Sequence, residues 1–387
     1  MFNIQTLNKI SKYGTDNFDT AKYNVADEVS NPDAIMVRSA AMHDMALGGN
    51  LLAIARAGAG VNNIPVDKCA EQGIVVFNTP GANANAVKEI VIAGLLMSSR
   101  KIPEAVTWAQ TLKGNGAEVG KMVEKGKSQF AGPEIMGKTL GVIGLGAIGV
   151  LVANAAVALG MKVVGFDPYL SVKAALGLNP AVKAAADVKE VYAAADYITI
   201  HVPYNADTKG TINAETIALM KDGVRILNFA RGELVDSGAI ISALESGKVS
   251  AYVVDFPSDE VLGVKNVIAI PHLGASTPES EDNCAMMAAL ELIEYIENGN
   301  IKNSVNYPDA EMNAVGTKIC VLHKNIPDVI SQLTSVLGDA KINIDNMVSK
   351  SKKDYAYTML DVAGDINDDI VGKLASVDSV IKIRVIK

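Results

Sequence analysis

The strand-like run Thr139-Leu140-Gly141-Val142-Ile143 opens directly into Gly144-Leu145-Gly146-Ala147-Ile148-Gly149, and an alanine-rich stretch follows. Glycines at this spacing have a phosphate-binding use: Gly144 permits a tight turn, Gly146 lets backbone N–H groups approach a pyrophosphate, and Gly149 lets helix and strand pack closely. The N-terminus of the helix then faces phosphate charge favourably. Asp167 closes the next strand, 18 residues after Gly149. Its carboxylate can accept hydrogen bonds from the adenine-ribose hydroxyls and would repel a 2′-phosphate. Neither Pro168 nor Tyr169 brings a compensating cation, so the pattern selects NAD over NADP.

Three further segments leave strands with chemistry-bearing residues. Asn228-Phe229-Ala230-Arg231-Gly232 places an arginine where ligands lie in open α/β sheets, and Arg231 can clamp a carboxylate through two charge-assisted bonds. Asp255-Phe256-Pro257-Ser258-Asp259-Glu260 supplies three carboxylates. Pro271-His272-Leu273-Gly274-Ala275-Ser276 carries one of only four histidines. An imidazole at the same sheet edge as Arg231 is the usual acid–base group for oxidising an alcohol.

The elements that must position these residues read as alternating strands and helices, which means βαβ units and mainly parallel sheets. Strands are expected at Ala34–Val37, Leu51–Ala55 and Ile74–Phe77, with a helix over Ala84–Ser99. From Lys138 a second series follows: Thr139–Ile143, Lys162–Phe166, Tyr197–His201, Arg225–Phe229, Ser250–Val254 and Val267–Ile270. Asp236–Glu245 is a capped helix and Thr277–Asn298 a long one. Gly114–Gly132, rich in glycine and lysine, reads as an extended arm or loop. Beyond the connector, strands at Lys318–His323, Ile342–Val348, Tyr355–Val362 and Val380–Ile386 alternate with helices at Asp328–Leu337 and Asn367–Ser376, giving the ferredoxin-like order βαββαβ.

Composition limits what the chain can be. With 387 residues it has room for two or three domains. Forty-three acidic against 35 basic side chains give a net charge of −8, which excludes a nucleic-acid protein relying on a basic face. Three widely spaced cysteines form neither a disulfide framework nor a CxxC metal site, and point to a reducing compartment. No signal-peptide core opens the chain, and the apolar run near Ile90–Met97 is too short to span a bilayer. A cytoplasmic protein without membrane or metal is expected.

The fingerprint at 144–149, Asn228–Gly232 and Pro271–Ala275, in that order, resemble the D-isomer-specific 2-hydroxyacid dehydrogenases over residues 1 to about 310. Val37-Arg38-Ser39, Ala55–Ile64 and Asn78–Asn83 are similar to the members that oxidise 3-phospho-D-glycerate to 3-phosphohydroxypyruvate with NAD, the entry step to L-serine. The resemblance implies that Arg231 holds the substrate carboxylate. It implies that His272 takes the C2 hydroxyl proton, and that Glu260 pairs with His272 and orients it. Glu260 keeps the family's 29-residue distance from Arg231, but Asp259 precedes it and no proline follows, so Asp259 stands as the alternative partner. The resemblance further implies cofactor contacts at Gly144, Gly146, Ala147, Ile148, Gly149, Asp167, His201, Val202, Pro203, Thr208, Ala230, Asp255, Gly274 and Ala275. Substrate contacts fall at Arg38, Ser39, Ala59, Gly60 and Asn83, with Arg38 on the phosphate. For His201 the reading as a core histidine closing its strand carries equal weight.

Residues 317–387 resemble an ACT domain, through His323-Lys324-Asn325-Ile326-Pro327-Asp328 and Asn343-Ile344. Serine binds between two such domains in the dehydrogenases that carry them, which implies effector contacts at His323, Asn325 and Asn343. Asp328 stands where the family typically has glycine, and its charge opposes an amino-acid carboxylate. The implied architecture is a flavodoxin-like substrate domain of residues 1–82 and 277–310, a Rossmann-type NAD domain of residues 83–276 inserted within it, and an ACT domain of residues 317–387. A homo-oligomer is implied as well, since in this family the segment corresponding to the arm embraces a second subunit. Two alternatives are the same chemistry on another D-2-hydroxy acid, and a non-catalytic NAD sensor using the ACT module; the Arg231, Glu260 and His272 set disfavours the sensor.

Overall fold

The computed structural model describes residues 1–313, 315–364 and 366–387. The chain divides into two compact units, one of Met1–Asn83 with Pro278–Lys387, the other of Ala84–Thr277.

The first unit holds two sheets. Strands β1 (Phe2–Leu7), β2 (Tyr23–Ala26), β3 (Ala34–Val37), β4 (Ala53–Arg56) and β5 (Val75–Asn78) pair in the order β2-β1-β3-β4-β5. Every pairing is parallel, which is the flavodoxin-like arrangement. Residues of β3 to β5 are almost wholly buried, as expected of parallel strands covered on both faces. β4 and β5 sit one or two residues later than their apolar runs suggest. β1 and β2 have no such run, because the Asn3 side chain accepts from that of Asn24 and Gln5 donates to the Asp27 carbonyl, while Ile4 fills the core.

The second unit contains β6 (Thr139–Ile143), β7 (Lys162–Phe166), β8 (Lys183–Ala184), β9 (Tyr197–Ile200), β10 (Val224–Asn228), β11 (Val249–Val254) and β12 (Val267–Ala269). They form one parallel sheet in the order β12-β11-β10-β9-β6-β7-β8. From β8 to β11 this is the doubly wound order, reversing direction at β6, so a ligand crevice is expected at the carboxyl ends of β6 and β9. Helices Ala84–Arg100 and Ala147–Ala158 cover one face, and Ser237–Glu245 the other. Asp236 caps the last of these by accepting a hydrogen bond from the Ala239 amide, as its sequence position predicts.

The arm is helical rather than extended. Within it, Val119–Gly126 is an α-helix flanked by single 3-10 turns, and Ile102–Gln110 precedes it. Its glycines mask a helical spacing: Val119, Met122, Val123 and Gly126 recur at i, i+3, i+4 and i+7. A Cβ on Gly126 would come within 2.3 Å of the Trp108 ring, which also packs on Phe130. Neither helix fully buries a residue, and Ile102, Val106 and Met122 are exposed.

The C-terminal sheet comprises β13 (Thr317–Lys324), β14 (Ile344–Lys352), β15 (Tyr355–Val362) and β16 (Val380–Ile386), antiparallel in the order β14-β15-β13-β16. With helices Val329–Asp339 and Asp368–Ala375 it completes the ferredoxin-like βαββαβ order. One face packs on those helices. The other shares a single core with the five-stranded part of the unit: Cys320, Leu322, Tyr357 and Met359 lie with Phe77, Tyr295 and Tyr307. Arg384 donates to the carbonyls of Tyr295 and Ile296 and lies over the Tyr295 ring at 4.7 Å.

Candidate active site

The glycine turn has the shape a dinucleotide needs. Gly144 has φ +92°, and a Cβ there would lie 2.7 Å from the His201 carbonyl oxygen. A Cβ on Gly149 would strike the Gly144 carbonyl at 1.9 Å. On Gly146 it would meet nothing within 4 Å, so that glycine faces open space at the N-terminus of a 12-residue helix whose Ncap offers no side-chain bond. Ala147 and Ile148 form the first helical turn. Asp167 accepts hydrogen bonds from the amides of Leu145 and Tyr169, which draws the carboxylate at the end of β7 beside the turn. These residues fit a dinucleotide.

His201, Val202 and Pro203 follow β9 at the switch point. The Thr199 hydroxyl lies 2.9 Å from His201 Nε2, and burial pushes the imidazole down to about 4, so this ring is neutral at pH 7. Thr208 closes the following loop: its hydroxyl donates to the Pro203 carbonyl and accepts from the Asn205 amide.

Arg231 is aimed by a buried asparagine. Asn228, the last residue of β10, donates to the Arg231 carbonyl and accepts from the Ala230 amide. The Arg231 guanidinium lies over the Phe256 ring at 5.1 Å, and the other partner of that ring is His272, with centroids 4.2 Å apart. Arg231 and His272 are therefore brought together at one sheet edge, on a shared aromatic platform. Phe256 escapes sequence reasoning; its only signal is an aromatic residue directly after the Asp255 that ends its strand segment.

His272 has φ +51°, an uncommon conformation for a residue with a side chain. Its amide donates to the carbonyls of Asp255 and Ile270. Asp255 is 1 % exposed, and its two oxygens accept from the amides of Leu273 and Gly274. Burial raises the Asp255 pKa, against the pull of these amides. The Asp255 carboxylate, read in sequence as a cofactor contact, thus also holds the His272–Gly274 turn. A Cβ on Gly274 would lie 3.0 Å from that carboxylate, and Ala275 continues the turn. Glu260 and Asp259 are both exposed, and among the described residues no hydrogen bond or ion pair joins either of them to His272. The expected Glu260–His272 pair is not formed here, because the segment after Phe256 turns outward to solvent.

In the other unit, Arg38 and Arg56 stand at the carboxyl ends of β3 and β4, the ligand-binding edge of such sheets. Arg38 forms a salt bridge with Glu281 at 2.6 Å, and its carbonyl accepts from Arg56 Nε. Arg56, which the sequence reading passed over, curls against Gly58, where a Cβ would lie 1.6 Å from its guanidinium. The Ser39 amide donates to Asn8, and the Ala59 carbonyl accepts from Asn78 at 2.6 Å. Gly60 follows in the same loop, and Asn83 immediately precedes the helix starting at Ala84.

Of the three expected effector residues, His323 is enclosed while Asn325 and Asn343 are exposed. His323 is 3 % exposed; its Nδ1 donates to the Lys324 carbonyl, so Nε2 accepts from the Thr358 hydroxyl, which in turn accepts from Ser349. Burial holds this imidazole below its usual range. Both ring nitrogens are thus engaged inside the module. Asn325 donates to the Lys353 carbonyl and Asn343 to Asp345. Asp328 has φ +72°, the left-handed backbone that favours glycine.

Residues 92–274 match the family model for the D-isomer specific 2-hydroxyacid dehydrogenase, NAD binding domain. With the doubly wound sheet and its glycine turn, this segment is similar to the NAD-binding domain of the D-isomer specific 2-hydroxyacid dehydrogenases. The chain is similar to D-3-phosphoglycerate dehydrogenases: 34 % identical over 328 residues to that of Bacillus subtilis (80 % of this chain, 59 % of the relative), and 37 % over 294 residues to that of Archaeoglobus fulgidus (73 % and 53 %). The chain spans about half the length of the curated relatives it matches. Among solved structures, an NAD+-bound 3-phosphoglycerate dehydrogenase of Entamoeba histolytica matches with a TM-score of 0.61 and 26 % identity, over 79 % of this chain and 98 % of that one. A D-2-hydroxyisocaproate dehydrogenase, 21 % identical, shares the fold with a TM-score of 0.65 over 79 % of this chain and all of its own.

Proposed function

We propose that the protein is an NAD-dependent dehydrogenase that oxidises 3-phospho-D-glycerate to 3-phosphohydroxypyruvate, the first step of L-serine biosynthesis. The observation that carries this reading is the Arg231–Phe256–His272 stack at the edge of the sheet that bears the glycine turn. Gly144, Gly146, Ala147, Ile148, Gly149, Asp167, His201, Val202, Pro203, Thr208, Ala230, Asp255, Gly274 and Ala275 would hold the cofactor, which when bound would supply the hydride acceptor for oxidation at substrate C2. Arg231 pairs with the substrate carboxylate. His272 accepts the hydroxyl proton as C2 becomes a ketone, and its strained turn is held by Asp255. Arg38, with Arg56 beside it, receives the phosphate in exchange for Glu281, while Ser39, Ala59, Gly60 and Asn83 line the substrate. Glu260 approaches His272 only in the loaded enzyme, since apo geometry often leaves such bonds unmade.

The exposed apolar residues of the arm support a homo-oligomer. The ferredoxin-like module supports L-serine as effector through Asn325 and Asn343, although buried His323 acts there by positioning β13 rather than by touching ligand. Three buried free cysteines suit the cytoplasm, and among the described residues no helix is long and apolar enough to cross a membrane.

The test follows NADH absorbance with NAD and 3-phosphoglycerate, lactate or glycerate in turn. Turnover is expected with 3-phosphoglycerate, and His272→Ala is expected to lower kcat by ~10²–10⁴-fold. Turnover with lactate alone would move the reading to another D-2-hydroxy acid; none with any substrate would remove it.

A further inference from the structure

A groove of about 840 Å³ lies within the first unit, between the edge strand β14 and the segment 303–309 that leads into the C-terminal sheet. None of its residues belongs to the Arg231–His272 set. Lys350 and Lys352 both line it from β14. Two residues apart on one strand, they project from the same face, with backbone positions about 6.6 Å apart. Lys352 Nζ is anchored on the Ser304 carbonyl at 2.6 Å, while Lys350 is exposed. Opposite them stands one carboxylate, Asp309, which accepts from the Ser304 amide. The charged lining is thus two cations to one anion, in a protein whose net charge is −8.

The groove floor leads to the loop at 57–60. Asn303 and Asn78 both line the groove, and the Asn78 amide donates to the Asn303 carbonyl. The Asn78 side chain donates in turn to the Ala59 carbonyl. On its other side Asn303 donates to Glu291, a buried carboxyl on the long helix. A ligand that fixes Asn78 and Asn303 therefore fixes Ala59.

We propose that this groove binds a small anion bearing two or more carboxylate or phosphate groups, held by Lys350 and Lys352, and that its occupation orders residues 57–60. Two lysines side by side on one strand face favour a multivalent anion over a single carboxylate, and Asp309 offers an acceptor to a hydroxyl of the same ligand.

Citrate is the probe. It is titrated calorimetrically into the wild-type protein, into Lys350→Ala, and into the double variant Arg38→Ala/Arg231→Ala, which lacks two arginines of the proposed substrate site. Equal affinity is expected in the wild type and the double variant, with binding about tenfold weaker in Lys350→Ala, the loss of one ion pair. No binding to the wild type would overturn the proposal, as would loss of binding in the double variant with retention in Lys350→Ala. Hydrogen exchange at residues 57–60 is expected to slow with citrate; binding that leaves it unchanged would overturn the link to the loop. Since no readout uses turnover, failure here is distinguishable from failure of the proposed reaction.

Discussion

Asp255 shows how a buried carboxylate can set the backbone of a turn that carries a candidate proton acceptor. Its carboxylate saturates two amides of the turn whose first residue, His272, has positive φ. Asp255→Asn would turn an amide NH2 toward one of those donors, leaving a buried N–H unpaired at a cost of about 1–3 kcal/mol. The expected outcome is a lower urea midpoint together with a lower kcat and an unchanged substrate KM; a variant unaltered in both midpoint and kcat would show that the turn holds itself. The sequence made Arg231, His272 and the glycine fingerprint legible, because each sits directly after a strand and its chemistry is local. It did not make Phe256 legible as their common platform, nor the Arg38–Glu281 pair, because those contacts join residues far apart in the chain.

Elements were legible where one pattern acted alone. β6, β7, β15 and β16 coincide with their apolar or alternating runs to the residue. β1 and β2 were missed because their polar residues are bonded at the sheet's outer side, and the arm's helix because glycine masks its spacing. The helix Pro278–Asn298 carries a further device. Glu291 is 7 % exposed; burial pushes its carboxyl up to about 8, with Asp309 adding to the shift, while Asn303 donates to one oxygen and the other is unpartnered. A carboxyl whose folded pKa is raised binds more protons folded than unfolded. Stability therefore falls as pH rises from the unfolded value near 4.3 toward 8, and is flat above it. Glu291→Gln keeps the acceptor for Asn303 and removes the ionisation. Its stabilising effect is expected to be small at pH 4.5 and to grow to about 4–5 kcal/mol at pH 8, read from thermal midpoints across that range. A difference independent of pH would show that Glu291 is not the group that titrates.

At the scale of the whole molecule, the C-terminal residues look in sequence like a detachable module, since a connector precedes them and they complete a βαββαβ order of their own. Packing in the first unit argues otherwise. Tyr357 and Met359 are wholly buried in the same core as Phe77, Tyr295 and Tyr307, and the Tyr357 hydroxyl donates to the Gly299 carbonyl. Lys318 is buried with its ammonium on the carbonyls of Asn298 and Met312, and Lys382 donates to Leu51. Ending the chain after Asn313 would expose those aromatic side chains and leave these carbonyls without their donors. Each large apolar side chain returned to water costs about 1.5–3 kcal/mol, so three or four approach the 5–15 kcal/mol that hold a domain folded. The truncated protein is accordingly expected to lose near-ultraviolet circular dichroism and to aggregate on gel filtration, whereas a module hung on a free linker would leave the remainder with an unchanged thermal midpoint.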